Sequence, residues 1–548
     1  MNSTTWSNST LAPLPTILIR GFGGLDTSEE KKSTYYGFND GTVYPQKQGE
    51  NYIYEGLILR FMKSDWKYQD ATNIVSYYSK EMQLKRNSLP DDRLKPFDEM
   101  GFFNGHKLVI DPAMALKLIK SEDDPRHTIW VFRYYDFDDR DFETYSNALV
   151  RLIDFIRALV SFKEQEGKID VDERGVNKVN IIAHSMGGLI VRHAIQSEKH
   201  GFEHPDRVEK TTADECINKI VTLGTPHQGI SFQLLQNLRW LPFLKAEKEL
   251  EQFNPENQTT LELGFNRFKE RFPLERLLTI VGTNYRAYNI GAATILNRFF
   301  PMSDEYGSTY NRSDGLVKQT SAQIPGAPRA FVHKPHGGPD SLITARESFE
   351  IATRFFFGNI RARLRLVSAQ IKSGKDSFGK SEFFIGVSIE PRYVDFELFH
   401  QSKEAENCYG PFQKEDLSDT PQAATFFWAD DDRLMWEGYL IKKMEDEGSD
   451  LSMRLQFYVG ERDVFGIGFS DKLIFHKDYF VRAVKSAEGL QLYQYSNEKS
   501  LAAKEKDEES ENTKQMNKVD KGWLLEVQDN DSFEGNFLVE LEEVSEDG

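Results

Sequence analysis

The residues best suited to chemistry lie in one stretch, Asn177 to Ile195, which reads NKVNIIAHSMGGLIVRHAI. Its centre is Ser185, flanked by Ala183, His184, Met186, Gly187 and Gly188. Before it, Val179 to Ala183 is a short run rich in Ile and Val, the pattern of a buried strand. After it, Met186, Leu189, Ile190 and Ala194 fall at helical spacing. A strand that becomes a helix within one or two residues must turn sharply, and small flanking residues let the backbone pass. Such a turn strains the serine and projects its hydroxyl beyond the carboxyl end of the sheet. It also sets the next amide at a helix N-terminus. An exposed hydroxyl beside a positive helix end suits acyl transfer, with the oxygen attacking a carbonyl and the amide receiving the developing charge. Taken alone, a plain strand–helix turn with a surface serine reads the same way.

The stretch resembles the nucleophile elbow of α/β-hydrolases, G-x-S-x-G, with Ala183 in the first glycine position. Ala-His-Ser-Met-Gly is the form seen in a group of bacterial lipases, and GPI-inositol-deacylase-like hydrolases are similar. The resemblance spans roughly residues 14–358 through separate motifs. It implies a catalytic apparatus in a set chain order. Thr16 to Ile19 would be a core strand running into Arg20-Gly21-Phe22-Gly23-Gly24, where the family has a His-Gly-x-Gly-like turn. By position, the amides of Phe22 and Met186 would form the oxyanion hole, with Arg20 standing where the family carries His. Asp314, in Ser313-Asp314-Gly315-Leu316-Val317, matches the family's acid; its competitor Asp304 lacks that setting. The base falls in the loop before the final helix, which selects His336, with His333 at the strand's end as the alternative. The order Ser185, Asp314, His336 is the family's order. Gly224 to Gly229 (GTPHQG) resembles a turn bordering the family's site. His227 within it is read as structural or substrate-lining, and His184 as substrate-lining. This chemistry calls for no metal and no cofactor.

These groups need a scaffold, and the patterning supplies one. Strands are expected at Thr16–Ile19, Thr128–Tyr134, Val179–Ala183, Ile217–Leu223, Leu277–Val281 and Arg329–His333. Helices are expected around Tyr68–Lys85, at Asp111–Lys120 and at Ser341–Phe357. A long amphipathic helix is expected over Phe142–Phe162, with Leu149, Leu152, Ile153, Ile156, Leu159 and Val160 on one face. The alternation indicates an α/β fold, a mainly parallel sheet with helices on both faces. Two insertions are expected, at about 25–105 and 230–312. The first either walls the cleft or packs as a surface excursion. The second contains Phe232, Leu235, Leu238, Trp240 and Phe243. It reads as a lid or acyl-chain channel, with Trp240 and Phe243 lining substrate, or as an ordinary cap helix.

Residues 1–15 read as a flexible tail, and 16–358 as the catalytic domain. From about 360 the pattern changes to runs alternating every second residue, such as RARLRLVSAQIK, YVDFELF and LSMRLQFYVG. An all-β, sandwich-like domain is expected over 361–543, with a charged, disordered insertion at about 499–521. The domain matches no family with certainty, and a C2-like or lipase-appended module is an analogy only. The acidic runs Asp136–Asp141 and Asp430–Asp432 read as solvated turns, the first capping the next helix, because ligand spacing for a metal is lacking.

Composition bounds the rest. A net charge of −18 over 548 residues argues against nucleic acid as a partner. It also argues against nonspecific binding to anionic lipid, while leaving transient contact with a membrane surface open. Two cysteines, Cys216 and Cys408, permit no disulfide framework and suit a reducing compartment. The N-terminus shows no signal peptide, and no window of about 18 apolar residues is present. A cytoplasmic location is expected, with signal-independent secretion as the exception. The reading is a serine hydrolase of acyl esters, a lipase or phospholipase first. A short-ester esterase or a thioesterase would use the same residues. A hydrolase fold kept only for binding or signalling is the alternative of another class.

Overall fold

A computed structural model describes residues 12–21, 55–71, 89, 91–103, 110–132, 141–170, 177–207, 210–229, 263–287, 312–338, 340–372, 381–392, 396–412, 433–441, 451–462, 472–486, 489–497, 513–529 and 531–544. The first half is built on seven strands: β1 (Thr16–Ile19), β2 (Gln69–Asp70), β3 (Thr128–Phe132), β4 (Val179–His184), β5 (Ile217–Leu223), β6 (Leu277–Gly282) and β7 (Arg329–Val332). They form one sheet in the order β2-β3-β1-β4-β5-β6-β7. Every pairing is parallel. In β1, β3 and β4 every residue is buried, which is why these strands read as unbroken apolar runs rather than alternating ones. Because all the strands run the same way, their carboxyl ends meet at one edge, where an open α/β sheet binds its ligand.

Among the described residues, the helices of nine or more residues that accompany the sheet are α1 (Glu55–Lys63), α2 (Pro112–Lys120), α3 (Phe142–Gln165), α4 (Met186–Gln196) and α5 (Arg346–Phe357). Asp141 caps α3, its carboxylate accepting the Thr144 amide at 2.6 Å. The last residue of the acidic run thus serves the helix, and the preceding residues 133–140 lie outside the described set. The Asp430–Asp432 turn also lies outside it. Among the described residues no group of carboxylates, cysteines and histidines is spaced to hold a metal.

Three expectations are corrected. The helix around Tyr68–Lys85 does not begin at Tyr68. Gln69–Asp70 instead forms β2 at the sheet edge, and residues 72–88 are outside the described set. Tyr68 is buried against Phe61 of α1, with ring centroids 5.0 Å apart, so aromatics of the expected insertion belong to the core. The last helix starts at Arg346 rather than Ser341. Residues 341–345 form turns, with the Ser341 amide on the Thr344 hydroxyl. Within the expected disordered insertion, Thr513–Gln515 and Asn517–Val519 are strands, and residues 498–512 lie outside the described set.

The second half is all β. Strands β8 (Ile360–Ile371), β12 (Leu434–Leu440), β17 (Asn517–Val519), β18 (Gly522–Gln528) and β19 (Phe533–Glu543) form one antiparallel sheet, ordered β12-β8-β19-β18-β17. The other contains β9 (Glu382–Pro391), β10 (Phe399–His400), β11 (Tyr409–Phe412), β13 (Leu451–Arg462), β14 (Lys472–Ser486), β15 (Gly489–Tyr495) and β16 (Thr513–Gln515). Of the expected YVDFELF strand, residues 393–395 lie outside the described set, and among the described ones only Phe399 falls in a strand, β10. The two sheets pack face to face through Phe457 against Phe537 and Phe475 against Phe533, at 4.5 and 5.2 Å between ring centroids. The expected sandwich is therefore present.

The halves share their apolar core. Phe331 of β7 packs on Phe399 of β10, and Phe355 of α5 on Tyr439 of β12, at 5.4 and 5.2 Å. The buried Lys219 ammonium donates to the Phe355 carbonyl at 2.9 Å beneath the same contact. Burial lowers its pKa to about 8. No helix among the described residues is long and apolar enough to cross a membrane.

Candidate active site

Ser185 stands between β4 and α4 with φ 53° and ψ −128°. A positive φ is unfavourable for a residue with a Cβ, and such strain persists only where the surroundings impose it. Here both flanks are pinned. The Ser185 amide donates to the Leu223 carbonyl of β5 at 2.9 Å, and α4 starts at the next residue. Arg192 holds α4 from behind, its buried guanidinium donating to the carbonyls of His227 and Leu263, each at 2.6 Å. The approach to the serine is closed to side chains on one side. A Cβ on Gly21 would sit 2.5 Å from Ser185 Cβ and 3.1 Å from its Oγ. The Gly21 carbonyl accepts from Nε of the buried Arg20 at 3.3 Å, which is where the side chain in the family's His position goes.

Two groups from distant parts of the chain reach the hydroxyl. His336 Nε2 lies 3.0 Å from Ser185 Oγ, and His336 Nδ1 lies 2.8 Å from Asp314 Oδ2. Both His336 and Asp314 are buried, at 4% and 1% exposure, while Ser185 is partly open. A carboxylate only accepts, so Nδ1 carries the ring proton and Nε2 is left to receive one. The other oxygen of Asp314 accepts the amides of Leu316 and Val317 at 3.0 and 2.8 Å, which fixes the carboxylate plane. The His336 amide donates to the Asp314 carbonyl at 2.9 Å, tying the two loops by backbone as well. Gly224, with φ 55°, leaves room for this contact. A Cβ there would approach Asp314 Oδ2 to 2.8 Å and His336 Nδ1 to 3.1 Å.

The remaining histidines sort themselves by contact. His333 faces away from Ser185, with its Nδ1 3.0 Å from the Thr283 hydroxyl and its ring 5.6 Å from His400 of the β-domain. His227 is fully buried, with Nε2 3.0 Å from the Thr222 hydroxyl. His184 is also buried. Its Nε2–H donates to the His336 carbonyl at 3.0 Å, and the two rings meet at a tilt of 41° with centroids 4.7 Å apart. The sequence offered no signal for this contact, since it joins residues 152 positions apart. Met186 opens α4, so its amide has no acceptor within the helix. Phe22, Trp240, Phe243 and the alternative acid Asp304 lie outside the described residues.

Three buried histidines give the protein a pH dependence of definite sign. Burial pushes His184 and His227 well below the ordinary value of 6.5, with His336 a further influence on the first and Arg192 on the second. Burial likewise lowers His193 to about 4. Each is neutral in the folded chain, while the unfolded chain takes up a proton below about 6.5. Stability is therefore fully present above 6.5 and is lost as the pH falls toward the folded values. The slope is about 1.4 kcal/mol per pH unit for each group. Thermal melts between pH 7 and 5 should show a steady fall in Tm. An unchanged Tm over that range would mean that these rings are not buried neutral.

Residues 115–261, which contain Ser185, match the model of the family described as "Putative serine esterase (DUF676)". Among solved structures, the lipase BlEst2 of Bacillus licheniformis in its mature form is similar at 15% identity, with a TM-score of 0.27. That match covers 44% of this chain and 86% of BlEst2. Phospholipase PlaB of Legionella pneumophila is similar at 11% identity over 87% of this chain and 90% of its own, with a TM-score of 0.27. No curated protein matches the chain. The parallel sheet and its strand–serine–helix turn are those of the α/β-hydrolase fold. Together with the family match they support a serine hydrolase.

Proposed function

We propose that this chain hydrolyses acyl esters through an acyl-enzyme, with Ser185 as nucleophile, His336 as general base and Asp314 as the carboxylate that orients it. The observation that carries the reading is the unbroken line Asp314–His336–Ser185, at 2.8 and 3.0 Å. As Ser185 Oγ attacks the acyl carbonyl, His336 Nε2 takes its proton, and the imidazolium is stabilised by Asp314. The oxyanion is received by the amide of Met186 and, by the family resemblance, that of Phe22. His336 then protonates the departing alcohol. Water, activated by the same nitrogen, releases the acid and restores the serine.

The proposed substrate class is lipid acyl esters, as for a lipase or phospholipase. The support for it is the apolar segment Phe232–Leu244, which follows β5 and reads FQLLQNLRWLPFL. An enzyme of short esters has less use for such an apolar insertion. Incubation with a mixed lipid extract, followed by mass spectrometry, should show free fatty acids and lysolipids with the wild type and none with Ser185→Ala. Turnover of short activated esters alone would reduce the function to a small-ester esterase. A well-folded wild type that no fluorophosphonate probe labels would leave the non-catalytic reading in place.

His184 acts in this scheme by holding the base. His184→Phe keeps a ring against His336 and removes the donor to its carbonyl. A drop of about tenfold in kcat is expected, the scale of one lost hydrogen bond. KM should be unchanged, since the ring does not touch substrate. Steady-state kinetics on a p-nitrophenyl ester, normalised by fluorophosphonate titration of active serines, measures both. An unaltered kcat would remove His184 from the scheme.

A further inference from the structure

The turn that carries Asp314 is braced from outside the hydrolase core. It runs from Arg312 to Gln319 and closes on itself: the Gln319 amide donates to the Arg312 carbonyl at 2.7 Å, and Ser313 bridges to Lys318. The segment packed against it belongs to the β-domain. This is the loop Gln401–Cys408, between β10 and β11. The Gln319 side chain, 5% exposed, donates from Nε2 to the Ala405 carbonyl at 2.8 Å. The Arg312 amide donates to the Glu406 carboxylate at 3.3 Å. Arg312 and Glu406 both have positive φ, 29° and 51°, so each holds a backbone shape that its surroundings must enforce.

The loop is stiff enough to serve as a fixed surface. The Asn407 side chain donates to the His400 carbonyl at 2.7 Å and accepts the Ser402 amide at 3.1 Å. The Gln401 side chain donates to the Asn407 carbonyl at 2.9 Å and accepts the Val387 amide of β9 at 3.2 Å. Gln401, Ala405 and Asn407 are all buried. Each internal bond satisfies a group that would otherwise be costly to bury, so the loop resists deformation.

We propose that Gln319 and Glu406 are positioning residues, through which the β-domain sets the acid turn so that the Asp314 carboxylate meets His336. The proposal rests on the serine-hydrolase reading above and adds the β-domain to the apparatus. Asp314 lies two residues from the Arg312 contact and five from the Gln319 contact. Its carbonyl also holds the His336 amide, so a shift of the turn moves the acid and the backbone of the base together. A displacement of about 1 Å at such a site costs on the order of 10²-fold in rate. Truncating Gln319 would leave the buried Ala405 carbonyl unpaired and free the turn to relax.

The test uses the full-length chain and a p-nitrophenyl ester, with kcat expressed per serine titrated by a fluorophosphonate. Gln319→Ala and Glu406→Ala should lose about 10- to 100-fold in kcat with KM unchanged. Glu406→Gln keeps an oxygen for the Arg312 amide and should stay within about threefold of wild type. Glu404→Ala, on the exposed side of the same loop, should match wild type. A purely structural role would lower the titratable fraction and Tm while leaving kcat per titrated serine intact, and that result overturns the proposal. Equal losses in Glu406→Ala and Glu406→Gln would overturn the part assigned to Glu406. A wild type that neither turns over ester nor takes the probe would sink the serine-hydrolase reading itself, and the positioning role with it.

Discussion

Replacement of Ser185 by alanine is expected to lower turnover of an activated ester by a factor on the order of 10⁴ to 10⁶, with no loss of fold. The magnitude follows from the place of the hydroxyl. It lies 3.0 Å from His336 Nε2 and stands at the start of α4, next to the Met186 amide. Without it no acyl-enzyme forms, and the residual rate is what binding and the oxyanion site provide. Stability should hold or rise, because alanine removes only an oxygen from a strained, partly exposed residue. The measurement is kcat with fluorophosphonate labelling on matched samples. A variant that keeps a tenth of the wild-type rate would show that the nucleophile is elsewhere.

Asp314→Asn should cost about 10⁴ in kcat, with the fold again retained. The contacts around the carboxylate dictate the outcome. Oδ1 accepts two amides, from Leu316 and Val317, so the amide oxygen of asparagine takes that position and its NH₂ turns to His336. An NH₂ donates, which forces Nδ1 of His336 to accept and moves the ring proton to Nε2. Nε2 then points a proton at Ser185 Oγ and cannot take one from it. Binding should be spared, so the loss falls on kcat while KM stays within about twofold. Substitution of Asp304, the alternative acid, should leave kcat unchanged. The converse result would reassign the acid.

The elements of the hydrolase half were legible because each answers to a local rule. Strands β1 and β5 were expected at the residues they occupy, since buried parallel strands are unbroken apolar runs. The elbow was legible for a similar reason, an unbroken apolar run changing to a period of 3.6 across one serine. Where local rules competed, the reading slipped. Tyr68 looked helical because its neighbours are good helix formers, yet the phenol is wanted in the core, where it donates to the Leu14 carbonyl at 2.7 Å. The short strands at Thr513 and Asn517 were hidden by charge, which edge strands tolerate.

What the sequence determined by itself was the identity and order of the chemical groups: a serine on a tight turn, a carboxylate before Gly-Leu-Val and two histidines after the last core strand. Those are properties of neighbours in the chain, and neighbours set backbone shape. Only the tertiary structure gives His336 and His333, three residues apart, their different surroundings. One ring turns to Ser185 and Asp314, and the other to Thr283 and His400. It also placed His184 against His336, and brought a β-domain loop against the turn that carries Asp314. Each of these is a contact between segments tens to hundreds of residues apart. Such contacts depend on how the sheet edges and loops close in space, and chain spacing carries no record of that closure.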